Sequence, residues 1–214
     1  MVKKILLVII IGVVCSLLYI YVPNFLKSSD VTKETLDSSK FFHAKMAFYA
    51  DSLEEVYDQS PIIIEATIKN NVGEIEFGPE SYFTFTEAQV DDILKGDGLS
   101  KNDTINIIQT KYLIEDPVLE EGSRKILFLT KYDAKEYANN DYTYACVGGY
   151  QGIYNINEDD TISGSLTGED LSFNNKGLNN KAENNAASDA NTMLKDFAAG
   201  KTKEEFIKEM KSFK

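Results

Sequence analysis

The sequence lacks tryptophan, and it has one histidine, His43, and two cysteines, Cys15 and Cys146. A single imidazole without a nearby cysteine cannot build a structural zinc site, and it offers no Ser–His or Cys–His pair for catalysis. Cys15 lies in an apolar N-terminal run and Cys146 far outside it, so no internal disulfide is expected. The fold must therefore rest on its hydrophobic core, and we predict no metal and no cofactor.

Positive charge is also scarce, because 22 basic residues stand against 34 acidic ones and give a formal net charge of -12. Nucleic-acid binding needs a positive surface that neutralises phosphates, so no nucleic-acid partner is expected. The 214 residues, of which 43% are hydrophobic, suffice for one compact domain with appendages.

One long apolar run is present over residues 5–22, directly after Lys3 and Lys4. A run of about eighteen apolar residues can cross a bilayer as a helix, and the basic flank places the N-terminus in the cytoplasm. We therefore predict a transmembrane signal-anchor that contacts the lipid bilayer through residues 5–22. The protein is then a single-pass cell-membrane protein with an extracellular C-terminal domain.

Two other interpretations of this run remain open, namely a cleaved signal peptide and a lipoprotein signal with Cys15 as the lipidated residue. Cleavage requires small residues at an A-x-A-like site, and none follows the run closely. Val14 occupies the place where the bacterial lipoprotein signal has Gly or Ala. The anchor is favoured for these reasons, and all three interpretations place the main domain outside the cytoplasm.

Shifts in composition divide the chain into five segments. They are a signal-anchor (1–23), a polar stalk (24–40), a main domain (41–172), an Asn/Lys-rich linker (173–190) and a C-terminal helical segment (191–214). The polar stalk and linker bury too little apolar surface to fold by themselves. In the last segment, Thr202 and Glu205 have the spacing of a capping box and predict the start of a helix.

Alternating hydrophobic residues in the main domain predict strands. The strongest signal is a hairpin, in which Tyr82–Leu94 and Thr104–Gln109 flank the Gly-rich turn Lys95–Gly98. A helix over 41–59 comes first and ends before Pro61. The other predicted strands are Ile62–Ile68, a short one at Ile75–Phe77, Ile126–Leu129, Tyr142–Val147, Gly152–Ile156 and Thr161–Ser163, with a turn at Asn70–Gly73 and a bend at 148–152.

The order of these features resembles the OB-like barrel of the tissue inhibitor of metalloproteinases and netrin superfamily, as in anchored proteins of Gram-positive bacteria. The resemblance covers Ser60 to Ile162 and includes the Lys95–Gly96 strand end and the Glu121–Gly122 turn. It implies a closed or nearly closed five-stranded barrel. Together with the patterns above, we predict a mainly β fold with flanking helices, in which a transmembrane helix precedes a small OB-like β-barrel. Inhibition is not implied, because the family's inhibitors need an N-terminal cysteine and disulfides that this chain lacks.

Aromatic residues are plentiful in the predicted strands, and OB-type barrels bind ligands on a strand face lined with such rings. The alternative is that these rings divide between the core and ordinary surface positions. The candidate binding residues are Tyr82, Phe85, Tyr142, Tyr144, Tyr150 and Tyr154.

No motif predicts a catalytic or metal-binding residue. The acidic stretches Asp91–Asp92, Glu120–Glu121 and Glu158–Asp160 lack the spacing of a calcium-binding loop and are typical of solvated turns. Cys146 has apolar neighbours, which favours a buried strand cysteine over a nucleophile.

An anchored barrel without a catalytic constellation favours a binding module of the bacterial cell envelope, whose ligand is an envelope protein or a glycan. Two alternatives remain. One is an envelope hydrolase that uses carboxylates such as Asp91, Asp92 or Glu121, and the other is a protease inhibitor, which only the fold suggests.

Overall fold

Strands dominate residues 48–134, 142–165, 198 and 200–213, which are the residues that a computed structural model of the chain describes. They all belong to one compact unit, Phe41–Lys214. Seven strands form a single sheet, and short helices flank it. The prediction of a mainly β fold with flanking helices is confirmed.

The first helix, α1 (Leu53–Gln59), begins later than predicted. The Ser52 hydroxyl accepts the backbone N–H of Glu55 and caps the helix, whereas residues 48–52 are not helical. The longer predicted helix is therefore wrong for residues 48–52, because the apolar periodicity ignores a serine that satisfies a free N–H at this point. The helix ends before Pro61, as predicted.

Strands β1 (Ile62–Gly78) and β2 (Ser81–Lys95) form a long antiparallel hairpin. The turn predicted at Asn70–Gly73 is wrong, because the chain continues through it as one strand with register shifts on both sides of Asn71. The Asn71 Oδ1 atom accepts the Gly73 N–H at 3.0 Å. The turn-type residues thus bulge the strand and do not reverse it.

Five shorter strands complete the sheet and confirm the strands predicted around residues 104–109, 126–129, 142–147, 152–156 and 161–163, whereas the predicted short strand Ile75–Phe77 is part of β1. They are β3 (Thr104–Thr110), β4 (Arg124–Lys131), β5 (Thr143–Cys146), β6 (Ile153–Ile156) and β7 (Ile162–Gly164). The predicted β2–β3 hairpin is present, with antiparallel pairing from Gln89 opposite Thr104 to Phe83 opposite Thr110. The bend predicted at 148–152 contains a 3-10 helix, Gly149–Gly152, whose four residues are buried.

The pairing of five strands returns to the strand from which it starts. The sheet order is β1-β2-β3-β5-β4-β6-β7, and β4 also pairs with β1. The pairs β1–β2, β2–β3, β4–β5 and β1–β4 are antiparallel, whereas β3 and β5 are parallel. β5 therefore lies between two strands that precede it in the sequence, and it completes the circuit.

Buried side chains form two cores on opposite faces of the sheet. β4 shows the division, because Ile126 and Phe128 belong to the helix-side core and Leu127 and Leu129 to the second core. The helix-side core includes Leu53, Val56, Ile63, Ile126, Phe128, Tyr154, Phe206 and Met210. The second core includes Ile64, Ala66, Val90, Ile107, Leu127, Leu129 and Tyr144. A strand buried on both faces explains the continuous apolar run at this point in the sequence.

The C-terminal helix, α2 (Lys203–Met210), begins with the predicted capping box. The Thr202 hydroxyl accepts the Glu205 N–H, and the Glu205 carboxylate accepts the Thr202 N–H at 3.0 Å. The helix buries Phe206 and Met210, which are 0% and 2% exposed. The predicted C-terminal helix therefore packs on the sheet.

An ion-pair network joins α2 to the sheet. The buried Glu65 carboxylate lies 3.0 Å from Lys203 Nζ at the start of α2 and 2.7 Å from a guanidinium nitrogen of Arg124. Arg124, the only arginine in the sequence, also reaches the Asp160 carboxylate at 3.3 Å. The network fixes the first turn of α2 above β1 and β4.

The predicted membrane span, residues 5–22, lies outside the described residues. The polar stalk 24–40, His43 and the linker 173–190 also lie outside them, so these predictions stay predictions. Within the described ranges, none of the helices has the length and apolarity to cross a bilayer.

Candidate functional site

Four of the six candidate binding residues belong to the interior. The buried rings, with their exposed fractions, are Phe85 (2%), Tyr144 (5%), Tyr150 (4%) and Tyr154 (1%). Tyr82 is half-buried, and Tyr142 is 52% exposed. The structure therefore does not bring the six rings together on one solvent-facing surface.

Packing of α2 explains why Tyr154 is not a surface ring. Its centroid lies 4.8 Å from that of Phe206 and 5.5 Å from that of Phe128, within the helix-side core. Burial raises the pKa of the Tyr150 and Tyr154 hydroxyls, so both stay protonated. The strand pattern alone could not indicate this burial, because the covering helix is distant in sequence.

Three other aromatic residues form a cluster that is partly exposed. Phe77 at the end of β1 stacks on Phe83 of β2, with centroids 4.1 Å apart and ring planes at 22°. Tyr132, directly after β4, meets Phe83 edge-on at 6.4 Å. Phe77 is 39% exposed. We call Phe77, Phe83 and Tyr132 the aromatic cluster, and none of the three is among the predicted binding residues.

An open strand edge lies beside the aromatic cluster. β4 pairs with residues 62–67 of β1 only, and Ile68 bonds to the loop before β4 through both of its backbone groups. Over Lys69–Phe77, β2 is the only strand that neighbours β1 in the described part of the chain. Residues 69–74 are exposed. We call Lys69–Phe77 the β1 edge.

Acidic and apolar side chains alternate at the end of the β1 edge. Glu74 and Glu76 alternate with Ile75 and Phe77, and the period of a strand directs the two pairs to opposite sides. Glu74 forms an ion pair with Lys111 at 2.7 Å. Although partial burial works against the charged form, hydrogen bonds and the charge of Glu74 raise the pKa of Lys111. Among the described residues, Glu76 has no ion-pair partner.

The carboxylates proposed for hydrolysis occupy separate environments. Asp91 of β2 accepts the Thr67 hydroxyl at 2.6 Å, while the next residue, Asp92, is exposed. β2 has a register shift here, because Asp92 lies opposite Glu65 and Val90 opposite Ala66, so Asp91 is the extra residue of a bulge. Glu121 is exposed in the turn before β4. This placement does not show two carboxylates facing a common substrate.

Asp116, in the loop between β3 and β4, is a half-buried acidic residue that the sequence prediction missed. It accepts the Thr110 N–H at 2.7 Å and an N–H of the Gln109 amide at 3.5 Å. Gln109 also donates to the Pro117 carbonyl and accepts the Leu119 N–H. Burial raises the pKa of Asp116 to about 6, although these hydrogen bonds lower it. All these partners lie within ten residues of one another in the sequence, so the hydrogen bonds of Asp116 and Gln109 hold this loop in shape.

Cys146 lies on β5, as predicted, and its thiol is free. Burial, and secondarily the charge of Asp116, raises the pKa of the thiol well above its ordinary value. The thiolate is the reactive form of cysteine, so this position does not favour a nucleophile. The described residues also contain no group of three or more His, Cys, Asp or Glu residues that is arranged to hold a metal ion.

No protein-family model and no curated protein matches this sequence. The resemblance to the metalloproteinase-inhibitor and netrin superfamily therefore stays an expectation. The aromatic cluster and the β1 edge are adjacent and partly exposed, and together they form the candidate binding surface.

Proposed function

We propose that this chain is a membrane-anchored binding module of the bacterial cell envelope, with its domain on the outer side. The apolar run 5–22 behind two lysines supports the anchor and its direction. The polar residues 24–40 support a stalk that separates the domain from the lipid headgroups.

The circuit of five paired strands supports an OB-like barrel for this domain. A barrel requires that the first and last strands of a circuit pair with each other, and the β1–β4 pairing meets that condition for the circuit β1-β2-β3-β5-β4. The parallel β3–β5 pair is consistent with a Greek-key arrangement and not with a simple meander.

The position of the aromatic cluster carries the proposal of binding. Phe77 and Phe83 flank the β1–β2 turn, and Tyr132 begins the β4–β5 connection. In OB folds, ligands bind at these same two connections and on the neighbouring strands. Stacked, partly exposed rings supply contact area at low cost in side-chain entropy, which suits an envelope protein or a glycan.

A retention experiment tests this proposal. Full-length protein in detergent is mixed with purified sacculi and, separately, with solubilised envelope proteins of a Gram-positive bacterium. Phe77→Ala is expected to lower retention of the protein at least tenfold, either on the sacculi or on the envelope proteins, because aromatic anchors dominate binding energies. Val118→Ala is the matched control, since Val118 is an apolar residue that is 42% exposed in the loop between β3 and β4 and does not belong to the cluster. Equal retention of both variants and the wild type would refute a binding role for the cluster.

A further inference from the structure

We infer that the β1 edge binds an extended peptide as an additional strand, and that this peptide alternates basic with apolar residues. The inference rests on the proposed function and names the ligand class for the same surface. It selects a protein segment over a glycan as the ligand.

The backbone of the β1 edge is suited to pairing with another chain. An open edge presents a row of N–H and C=O groups that an extended segment can pair with. Bulges usually protect such edges, and β1 has register shifts around Asn71 and after Glu76. Between them, Gly73–Glu76 stays in regular register with β2, from Gly73 opposite Phe85 to Glu76 opposite Tyr82. A regular stretch of this length, exposed at Gly73, Glu74 and Glu76, can template a short ladder.

The side chains of the β1 edge favour a particular peptide composition. Residues opposite each other on paired strands have Cβ atoms about 4.5–5.5 Å apart, so an added strand places its side chains beside those of β1. Lysine or arginine beside Glu74 and Glu76 gains an opposite charge, whereas acidic residues there are repelled. β-branched residues beside Ile75 and Phe77 extend the apolar side. The net charge of -12 also favours the approach of a basic segment.

The aromatic cluster is continuous with the apolar side of the β1 edge. Phe77 belongs both to the β1 edge and to the ring pair with Phe83. An added strand therefore extends the apolar side of β1 directly onto the stacked rings. Main-chain pairing then supplies affinity, and the alternating side chains supply selectivity.

The test uses full-length protein in detergent and a blocked eight-residue peptide in which lysine alternates with valine. Binding is followed by amide hydrogen exchange of residues 69–77 and by fluorescence anisotropy of the labelled peptide. We expect saturable binding and at least tenfold slower exchange in this stretch. The same peptide with alternate backbone nitrogens methylated keeps its side chains but cannot complete the ladder, and we expect at least tenfold weaker binding.

Charge reversal tests the acidic side of the edge. Glu76→Lys is expected to weaken binding of the lysine–valine peptide at least fivefold, and a glutamate–valine peptide is expected not to bind the wild type. Glu158→Lys is the matched control, because Glu158 is exposed in the β6–β7 turn. The affinity of this variant for the lysine–valine peptide is expected to stay within twofold of that of the wild type. Equal affinity of the methylated and unmethylated peptides, or of the Glu76→Lys and Glu158→Lys variants, overturns the inference.

Failure of this inference is distinguishable from failure of the proposed function. If Phe77→Ala loses retention on envelope material while the wild type binds no lysine–valine peptide, the binding module stands and the strand-addition mode is rejected. Retention on sacculi alone also rejects strand addition, because it identifies the ligand as a glycan. If Phe77→Ala changes no retention, the proposed function fails, whatever the peptide does.

Discussion

The side chain of a single residue, Gln151, forms two hydrogen bonds with the backbone of Ala50, as a neighbouring strand would. Its side chain is buried, its amide oxygen accepts the Ala50 N–H at 2.9 Å, and its amide nitrogen donates to the Ala50 carbonyl at 3.0 Å. These bonds join the segment before α1 to the 3-10 helix, 101 residues later in the chain. The sequence offered no pattern for this contact, because one glutamine in a Gly-rich bend is typical of a loop.

We expect Gln151→Ala to lower the free energy of unfolding by about 2–4 kcal/mol, since both Ala50 groups stay buried without a partner. Urea unfolding monitored by circular dichroism measures the loss. Gln89→Ala is the control, because Gln89 is half-buried on β2, and we expect a change within about 0.5 kcal/mol. Similar urea midpoints for both variants would show that the two Gln151–Ala50 hydrogen bonds contribute little to the free energy of unfolding.

Asp116 predicts a pH dependence of stability. Its pKa is raised from 3.8 to about 6 in the folded chain, so the folded state holds the proton more tightly between these values. Stability contributed by the protonated group is present below about pH 4 and is lost as the pH rises to about 6. The full loss is at most about 3 kcal/mol, because one pKa unit corresponds to about 1.4 kcal/mol.

Asp116→Asn keeps an acceptor for the Thr110 N–H but cannot ionise. We expect the stability of the variant relative to the wild type to increase from pH 4 to pH 6 and to stay level above that. Urea midpoints at half-unit pH steps, taken on both proteins, isolate Asp116 from the other carboxylates. A difference that does not vary with pH would contradict the raised pKa.

Among the elements, those with a strong local signal were predictable. The apolar run of β4 predicted a strand buried on both faces, and Thr202 with Glu205 predicted the start of α2. The error at Asn70–Gly73 has a physical cause, because turn-type residues also suit bulges when a partner strand continues alongside. Which rings α2 covers depends on contacts across the whole domain, so the exposed aromatic surface could not be predicted from strand periodicity.

The contribution of α2 is testable through its buried ring. Phe206→Ala is expected to lower the free energy of unfolding by about 3–5 kcal/mol, because it leaves a cavity between α2 and the Tyr154 ring of β6. Lys208→Ala, on the exposed side of the same helix, is the control and is expected to change it by less than about 0.5 kcal/mol. Equal stability of the two variants would mean that α2 packs only loosely.

For the whole molecule, the proposed anchor predicts its location in the cell. The full-length chain is expected in the membrane fraction after an alkaline carbonate wash, and deletion of residues 5–22 is expected to abolish this association. Protease added to intact protoplasts is expected to digest the domain while cytoplasmic markers survive. Full-length chain in the cytosol, or protection from the protease, would contradict the proposed topology.

The position of β5 has a consequence for how the domain is made. β1, β2 and β3 are consecutive and can pair as soon as all three have been made, but β3 and β4 stay apart until Thr143–Cys146 inserts between them. Contacts so distant in sequence form slowly. A chain stalled before Thr143 thus exposes the unpaired edges of β3 and β4, and proteolysis and aggregation then compete with completion of the sheet.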